Sequence, residues 1–159
     1  MRTVLVLSNI RSNENVGSIF RTADAAGVYE IFLCGYTPGP LDRFDRSNGA
    51  LLKASLGAEK FVKWQKFQTL REAVEELKRR GFKILAIEQT PEALDYRETG
   101  KLLNSGENLG LVFGNEVEGL SEEDLGICDG VAEIPMRGQK ESLNVAVAVG
   151  IVLYQLLSN

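Results

Sequence analysis

The sequence of 159 residues contains no histidine, and this absence removes several kinds of chemistry at once. Catalytic triads, proton shuttles and metal sites that depend on an imidazole are excluded. Cysteine is scarce too: Cys34 and Cys128 lie far apart and outside any CxxC pattern, so they are expected to be buried thiols in a reducing compartment. No metal site is predicted.

Long apolar runs and glycine-rich nucleotide motifs are also missing. The apolar run at residues 4–7 is too short for the core of a signal peptide, and the longest, residues 143–157, includes Asn144 and Gln155. It falls short of the roughly 20 residues that a bilayer-spanning helix needs, so a soluble, cytoplasmic protein without a membrane segment is expected. Without GxGxxG or GxxxxGK[ST], a dinucleotide-binding domain and a P-loop ATPase lose their main support.

What is present is a regular alternation of strand and helix signals. Strands are predicted at residues 3–8, 28–33, 60–64, 82–87, 109–113 and 131–134. Helices are predicted at residues 16–26, 48–55, 70–80 and 143–157, with a short one after Ser121. This alternation indicates a single α/β domain over residues 1–159, with a mostly parallel sheet covered by helices on both faces.

Charge is distributed unevenly along the chain. Residues 1–83 contain 14 Lys and Arg against 9 Asp and Glu, and residues 84–159 contain 4 against 13, which together give the net charge of −4. An anionic polymer would therefore contact the N-terminal half. The alternative is ordinary surface charge.

Three segments that follow predicted strands carry unusual polar residues. In the first, Asn9 to Thr22, Asn15 stands at a helix start, as an N-cap or a functional side chain, and Arg21 follows nearly two turns later beside core-like residues. An arginine at a buried edge needs a fixed anionic partner. The second, Leu111 to Leu120, places Glu116 between two glycines that would permit close approach of a ligand, although a solvated turn is the alternative.

The third segment, Ile134 to Asn144, connects an apolar strand to an almost wholly apolar helix. Ser142 is predicted as the N-cap of that helix. Asn144 is unexpected on a buried helix, so its amide must find a partner.

Together the three segments resemble the three motifs of the SpoU (TrmH-type) family of SPOUT methyltransferases. They read N-x-R-x-x-x-N-x-G-x-x-x-R, h-h-F-G-x-E-x-x-G-h and I-P-M-x-G-x-x-x-S-L-N-V, in the family's order. The resemblance implies S-adenosylmethionine as the methyl donor, without a metal, and a ribose 2′-hydroxyl of tRNA or rRNA as the acceptor. It also implies a C-terminal trefoil knot and a homodimer whose active site is completed near the subunit interface. Neither DNA nor a membrane is expected as a partner.

The resemblance also assigns residues. The matching catalytic positions are Asn15, Arg21, Glu116, Ser142 and Asn144. The cofactor would be held around Ile87, Glu88, Gly114, Ile134, Met136, Ser142 and Leu143. No separate RNA-binding extension is expected, so RNA is predicted to contact basic side chains of the N-terminal half, namely Arg11, Arg43, Arg46 and Lys53.

The absence of histidine shapes the expected mechanism. Because arginine normally stays protonated, Arg21 is favoured as a cation that stabilises the developing alkoxide, with proton abstraction by Arg21 as the alternative. Asn15, Ser142 and Asn144 would orient the ribose and the arginine, and Glu116 would position Asn15 or pair with Arg21.

Three other functions stay open: a methyltransferase of related fold acting on a base or on protein, a non-catalytic knotted RNA-binding protein, and a small-molecule-binding module. The compact chain resembles the subgroup that methylates the tRNA wobble ribose.

Overall fold

The computed structural model describes residues 1–104 and 106–157 and contains one parallel β-sheet. Its seven strands are β1 (Thr3–Ser8), β2 (Glu30–Cys34), β3 (Lys63–Phe67), β4 (Phe82–Ile87), β5 (Leu94–Asp95), β6 (Asn108–Phe113) and β7 (Gly130–Glu133). They lie in the order β3-β2-β1-β6-β4-β7-β5, and neighbouring strands pair in parallel. The predicted α/β class is confirmed.

Helices connect the strands and cover the sheet. The α-helices are α1 (Asn13–Ala25), α2 (Gly49–Ser55), α3 (Leu70–Arg79), α4 (Glu122–Gly126) and α5 (Val145–Leu157), and 3-10 helices form at Ala58–Lys60 and Tyr96–Leu102. None of the helices within the described ranges is long and apolar enough to cross a membrane.

The alternation of side chains along β1 shows why both faces of the sheet are covered. Leu5 and Leu7 point into a core shared with α1, α2 and α5, whereas Val4 and Val6 point into a second core shared with α3. All four side chains are fully buried. The prediction of helices on both faces is therefore confirmed.

Predicted boundaries differ from the structure by up to three residues, and α1 begins at Asn13 instead of residue 16. The strand expected at residues 60–64 is β3, three residues later, because it is a half-exposed edge strand with little alternation of polarity. The strand expected at 28–33 begins at Glu30, and Leu94–Asp95 was missed because two residues show no periodicity. Thr69 caps α3 and Ser121 caps α4, each through a side-chain oxygen that accepts a backbone N–H group.

The fold brings the carboxyl ends of four strands together. Leu7 of β1 and Ile87 of β4 both lie opposite Phe113 of β6, and Ile87 also lies opposite Ala132 of β7. The loops after these strands, which include all three sequence motifs, therefore meet at one edge of the sheet, where ligands of such folds bind. The trefoil knot implied by the resemblance stays a prediction.

Candidate active site

A cavity of about 330 Å³ lies at this edge of the sheet. All seven positions predicted for the cofactor line it: Ile87, Glu88, Gly114, Ile134, Met136, Ser142 and Leu143. Phe113, Val145 and Ala148 add further apolar surface. The volume and the mixture of apolar walls with a few polar groups are typical of small-molecule sites.

Two glycines of the second motif keep this cavity's wall tightly folded. A Cβ atom on Gly114 would lie 2.7 Å from the carbonyl carbon of Gly119. Gly119 has a φ of +67°, and a Cβ atom there would lie 2.4 Å from Oε2 of Glu88. That carboxylate oxygen accepts a hydrogen bond from the backbone N–H of Leu120 at 3.0 Å. Glu88 therefore fixes the turn as well as lining the cavity.

Glu116 connects the second motif to the first. Its carboxylate accepts hydrogen bonds from the backbone N–H groups of Arg11 at 3.1 Å and Ser12 at 3.3 Å, and from Nδ2 of Asn15 at 3.3 Å. Oδ1 of Asn15 in turn accepts a hydrogen bond from Nδ2 of Asn144 at 3.0 Å. One chain of hydrogen bonds thus joins all three motifs beside the cavity.

The environment of Glu116 favours its ionised form. Partial burial opposes ionisation, but hydrogen bonds from the backbone of Arg11, from its own backbone N–H, from Asn15 and from Ser12 outweigh that effect and lower the pKa of the carboxyl. At neutral pH the carboxylate is therefore a fixed acceptor that orients the Asn15 amide.

The helix caps differ from those predicted. Ser12, rather than Asn15, caps α1, since its Oγ accepts the N–H of Asn15 at 3.1 Å. Ser142 does not cap α5, which begins at Val145. Instead Oδ1 of Asn144 accepts the N–H groups of Ala146 at 2.9 Å and Val147 at 3.4 Å. The Asn15 and Asn144 side chains are consequently held in place at the site, whereas Ser142 lines the cavity with an exposed side chain.

Arg21 lies apart from this network. It is six residues beyond Asn15 on α1, which corresponds to a rise of about 9 Å along the helix. The expectation of a buried edge is wrong, because Arg21 is exposed. The expected alternative of a Glu116–Arg21 pair is not formed, and no other residue in the described ranges pairs with Arg21. Arg21 lines a second cavity of about 390 Å³, together with Ser18, Thr22, Ala25, Ala54 and Tyr154.

Asn115 is a structural member of the site that the sequence reasoning missed. Only 7% of it is exposed, and its Oδ1 accepts the N–H groups of Val117 at 2.8 Å and Glu118 at 2.9 Å. Its Nδ2 donates to the Asn9 carbonyl at 2.9 Å and to the Tyr36 hydroxyl at 2.6 Å. The available signal was a polar residue directly after a buried strand.

The residues predicted to contact RNA are exposed. Arg43 and Arg46 lie in the loop between β2 and α2, residues 35–48, hereafter the β2–α2 loop. Arg11 precedes α1, with its Nε 3.4 Å from the Tyr36 hydroxyl. Lys53 lies in the last turn of α2.

Neither cysteine suits nucleophilic chemistry. Burial raises the pKa of Cys34 to about 12 and that of Cys128 to about 11, so both are thiols at neutral pH. Among the described residues, no group of three or more carboxylates and thiols is arranged to hold a metal ion. The polar side chains that line the cavity are amides, carboxylates and the hydroxyl of Ser142, which are suited to orienting a ligand.

Comparison with known proteins places the chain in a family. The SpoU rRNA Methylase family matches residues 2–154. The chain belongs to this family, as the three motifs predicted.

Individual relatives match over nearly the whole chain. A tRNA (guanosine(18)-2′-O)-methyltransferase of Thermus thermophilus is 34% identical over 95% of this chain and 72% of its own length. The crystal structure of an AdoMet-bound rRNA methyltransferase from Sinorhizobium meliloti is 28% identical with a TM-score of 0.83; it covers 97% of this chain, which spans only 55% of that protein. A structure concerned with 2′-OH methylation of C/U34 on tRNA is 29% identical with a TM-score of 0.79, covering 99% of this chain and 98% of its own.

Proposed function

We propose that this protein transfers a methyl group from S-adenosylmethionine to a ribose 2′-hydroxyl of tRNA. The general class, an S-adenosylmethionine-dependent RNA 2′-O-methyltransferase, agrees with the relatives' names and with the sequence-based expectation. The observation that carries the proposal is the hydrogen-bonded chain Glu116–Asn15–Asn144 beside the cavity. It places amide groups that can orient a hydroxyl next to space for a cofactor.

The cavity suits this cofactor, which supplies an activated methyl group on a positively charged sulfur. Its apolar walls, from Ile87, Phe113, Ile134 and Met136, would accept the adenosine portion. The carboxylates of Glu88, Glu116, Glu118 and Glu141 at its lining would favour a cation. The tight turn at Gly114 and Gly119 would let backbone groups approach the ligand closely.

The protein's own contribution would be alignment and electrostatic stabilisation. With Asn15 fixed between Glu116 and Asn144, its amide is held for contact with the ribose. Ser142, which has an exposed hydroxyl at the cavity, would provide a further contact. Arg21 would stabilise the negative charge that develops on the 2′-oxygen, provided that its guanidinium group is brought next to the bound ribose.

A homodimer would bring Arg21 of one protomer next to the ribose bound at the other protomer. Helix α5 exposes three large side chains to solvent, with Val147 51%, Tyr154 51% and Leu157 54% exposed. Tyr154 also lines the cavity of Arg21. Pairing through this face would cover the exposed apolar surface and place the Arg21 of one protomer at the boundary with the other.

Nucleotide 34 of tRNA is the first position to examine. The structure concerned with C/U34 methylation is matched over 98% of its chain, whereas the enzyme named for guanosine 18 is matched over 72% of its length. Guanosine 18 is the alternative position.

The test is transfer of labelled methyl groups to tRNA, followed by nuclease digestion and mass analysis. Ribose methylation would leave an alkali-resistant dinucleotide, and mapping would place it at nucleotide 34 or 18. Arg21→Ala should abolish transfer while S-adenosylmethionine binding, followed by calorimetry, stays close to wild type. Methylation found only on bases would refute ribose as the acceptor, and turnover by Arg21→Ala would refute the role of Arg21.

A further inference from the structure

We propose that Phe44 is a stacking platform for a nucleobase of the RNA substrate, close to the nucleotide that is methylated. The proposal rests on the proposed function and adds to it a residue outside the three motifs. Phe44 lies at the tip of the β2–α2 loop and is 62% exposed. A single exposed apolar residue is ordinary. Its surroundings are what assign it a role.

The loop tip is held in one conformation that keeps the Phe44 ring in solvent. Oδ1 of Asp42 accepts the backbone N–H groups of Phe44 at 2.8 Å and Arg46 at 3.0 Å, and Oδ2 accepts Nε of Arg46 at 2.8 Å. Leu41 and Ser47 pair as a short antiparallel bridge below the tip. An aromatic residue whose backbone is already held in place loses less conformational entropy when a base stacks on its ring.

Two guanidinium groups lie over the Phe44 ring. The Cζ atom of Arg43 lies 4.7 Å from the ring centroid and that of Arg46 lies 5.0 Å from it. Arg46 is tied to Asp42, whereas Arg43 is exposed and makes no hydrogen bond or ion pair with the residues that the structure describes. The face under Arg43 can therefore open to a base, and the displaced guanidinium would reach a neighbouring phosphate or stack on the base itself.

The local charge fits an anionic strand. Asp42 is engaged within the loop by its three hydrogen bonds, and a second carboxylate, Asp45, follows Phe44 in the sequence. Arg43, Arg46 and Lys66 line one cavity of about 410 Å³ between the loop and β3 together with Asp42, and with Asp45 included the net charge of these groups is +1. A positively charged recess beside an exposed aromatic ring is how single-stranded nucleic acid is bound.

The loop is joined directly to the candidate active site. The Tyr36 hydroxyl, at the start of the loop, accepts a hydrogen bond from Asn115 of the second motif at 2.6 Å. Asn48, at its end, donates to Oδ1 of Asn13 in the first turn of α1 at 2.7 Å. RNA whose ribose reaches Asn15 would therefore place nearby nucleotides along this loop.

The test is a double-mutant cycle between Phe44 and the base that it would contact, using fluorescently labelled short single-stranded RNAs. One RNA carries adenine throughout, and the other has the same phosphates with abasic sites. Phe44→Ala should weaken binding of the adenine RNA roughly 5- to 150-fold and leave the abasic RNA unchanged. Phe44→Trp should retain binding. Phe61→Ala is the matched control, since Phe61 is 76% exposed elsewhere on the surface.

Salt dependence separates stacking from charge. Phe44→Ala should leave the slope of log affinity against log salt unchanged, whereas Arg43→Ala should reduce its magnitude by about 1. With tRNA as the substrate, Phe44→Ala should raise KM much more than it changes kcat, without altering S-adenosylmethionine affinity.

Equal effects of Phe44→Ala on the adenine and abasic RNAs, or no effect on either, would overturn the proposal. In the latter case, a change of oligomeric state in Phe44→Ala would assign the ring to a contact between protein copies instead. Failure of wild-type protein to methylate any tRNA, with the base-dependent effect of Phe44 intact, would refute the proposed function and not the platform.

Discussion

Glu116 is where the second motif holds the first in position. Its carboxylate accepts two backbone N–H groups at the start of α1 and the amide of Asn15, so a single negative charge fixes both a helix start and a site residue. Negative charge at a helix N-terminus is also stabilised by the helix dipole. Local stability and the orientation of Asn15 are therefore coupled through one side chain.

That coupling predicts a pH-dependent effect of Glu116→Gln. The variant should lower the free energy of unfolding at neutral pH by about 1 kcal/mol, because a charged acceptor is lost. The native pKa of Glu116 lies below its ordinary value of 4.5, so the native state binds the proton less tightly than the unfolded state. The stabilisation is complete above that value and is lost as the pH falls through the lower native pKa.

Urea denaturation of both proteins from neutral to acidic pH checks this. The difference between them should be constant down to about pH 5 and shrink below 4.5. Glu92→Gln, at an exposed carboxylate, serves as a control for losing a surface charge. A difference that grows on acidification would contradict the assignment.

Gly119 allows a second prediction at the residue scale. In Gly119→Ala the new methyl group would lie 2.4 Å from Oε2 of Glu88, at a φ of +67° that alanine rarely adopts. We expect about 1–3 kcal/mol of lost stability and weaker cofactor binding, since the displaced carboxylate can no longer hold the N–H of Leu120.

Gly27→Ala is the matched control, because Gly27 has a similar φ of +69° and a Cβ atom there would have no neighbour within 4 Å. Calorimetric titration with S-adenosylmethionine, together with urea denaturation, measures both effects. Equal behaviour of the two variants would show that Glu88 does not hold the turn.

At the scale of elements, α1 depends on close packing against α2. A Cβ atom on Gly17 would lie 2.4 Å from the carbonyl oxygen of Leu51 and 2.6 Å from Cβ of Ala54. Helix α1 therefore approaches α2 closely through a position without a side chain. Because Asn15 lies on the same helix, this packing also sets where its amide stands relative to Glu116.

Replacing two helical glycines by alanine, one at a time, should consequently change the free energy of unfolding in opposite directions. Gly17→Ala should destabilise the protein by about 1–3 kcal/mol through overpacking and should reduce methyl transfer. Gly150→Ala, on α5, meets only the Thr22 Cγ2 atom at 3.7 Å and should gain up to about 1 kcal/mol from helix propensity. Urea denaturation of the two variants measures both changes in the free energy of unfolding. A neutral Gly17→Ala would mean that α2 moves aside freely.

At the scale of the whole molecule, the sequence predicted what local patterns determine. The spacing of Val16, Ile19, Phe20, Ala23 and Ala26 predicted one buried face of α1 because a helix repeats every 3.6 residues. The structure buries the first four, whereas Ala26 is the half-buried C-cap. The pairing of β1 with β6 was beyond such reasoning, since it joins segments about 100 residues apart. The contacts between the site residues were beyond sequence reasoning for the same reason.

The site's three motifs were visible, but its hydrogen bonds were not. Asn144 was recognised as needing a partner, yet only the fold shows that Asn15 accepts its amide proton. Its second role as the cap of α5 was hidden because Leu143 extends the apolar run by two residues before the helix starts. The place of Arg21, exposed and away from Glu116, depends on how the whole molecule packs.

That separation leads to a prediction about how two protomers would share a site. If Arg21 acts on the ribose held by the other protomer, then Arg21→Ala and Asn15→Ala remove different halves of each composite site. Each variant homodimer should be inactive. A heterodimer of the two, isolated by co-expression with different affinity tags, would have one site with both defects and one intact site.

The heterodimer should therefore recover about half of wild-type turnover. If Arg21 and Asn15 served a site within the same protomer, each of the two sites in the heterodimer would carry one defect. The heterodimer should then stay inactive. Methyl transfer to tRNA, measured per dimer with saturating S-adenosylmethionine, separates these outcomes. The control is a heterodimer of the double variant Asn15→Ala/Arg21→Ala with wild type. If the two protomers share each site, this heterodimer has no intact site. If each site lies within one protomer, the wild-type protomer keeps an intact site.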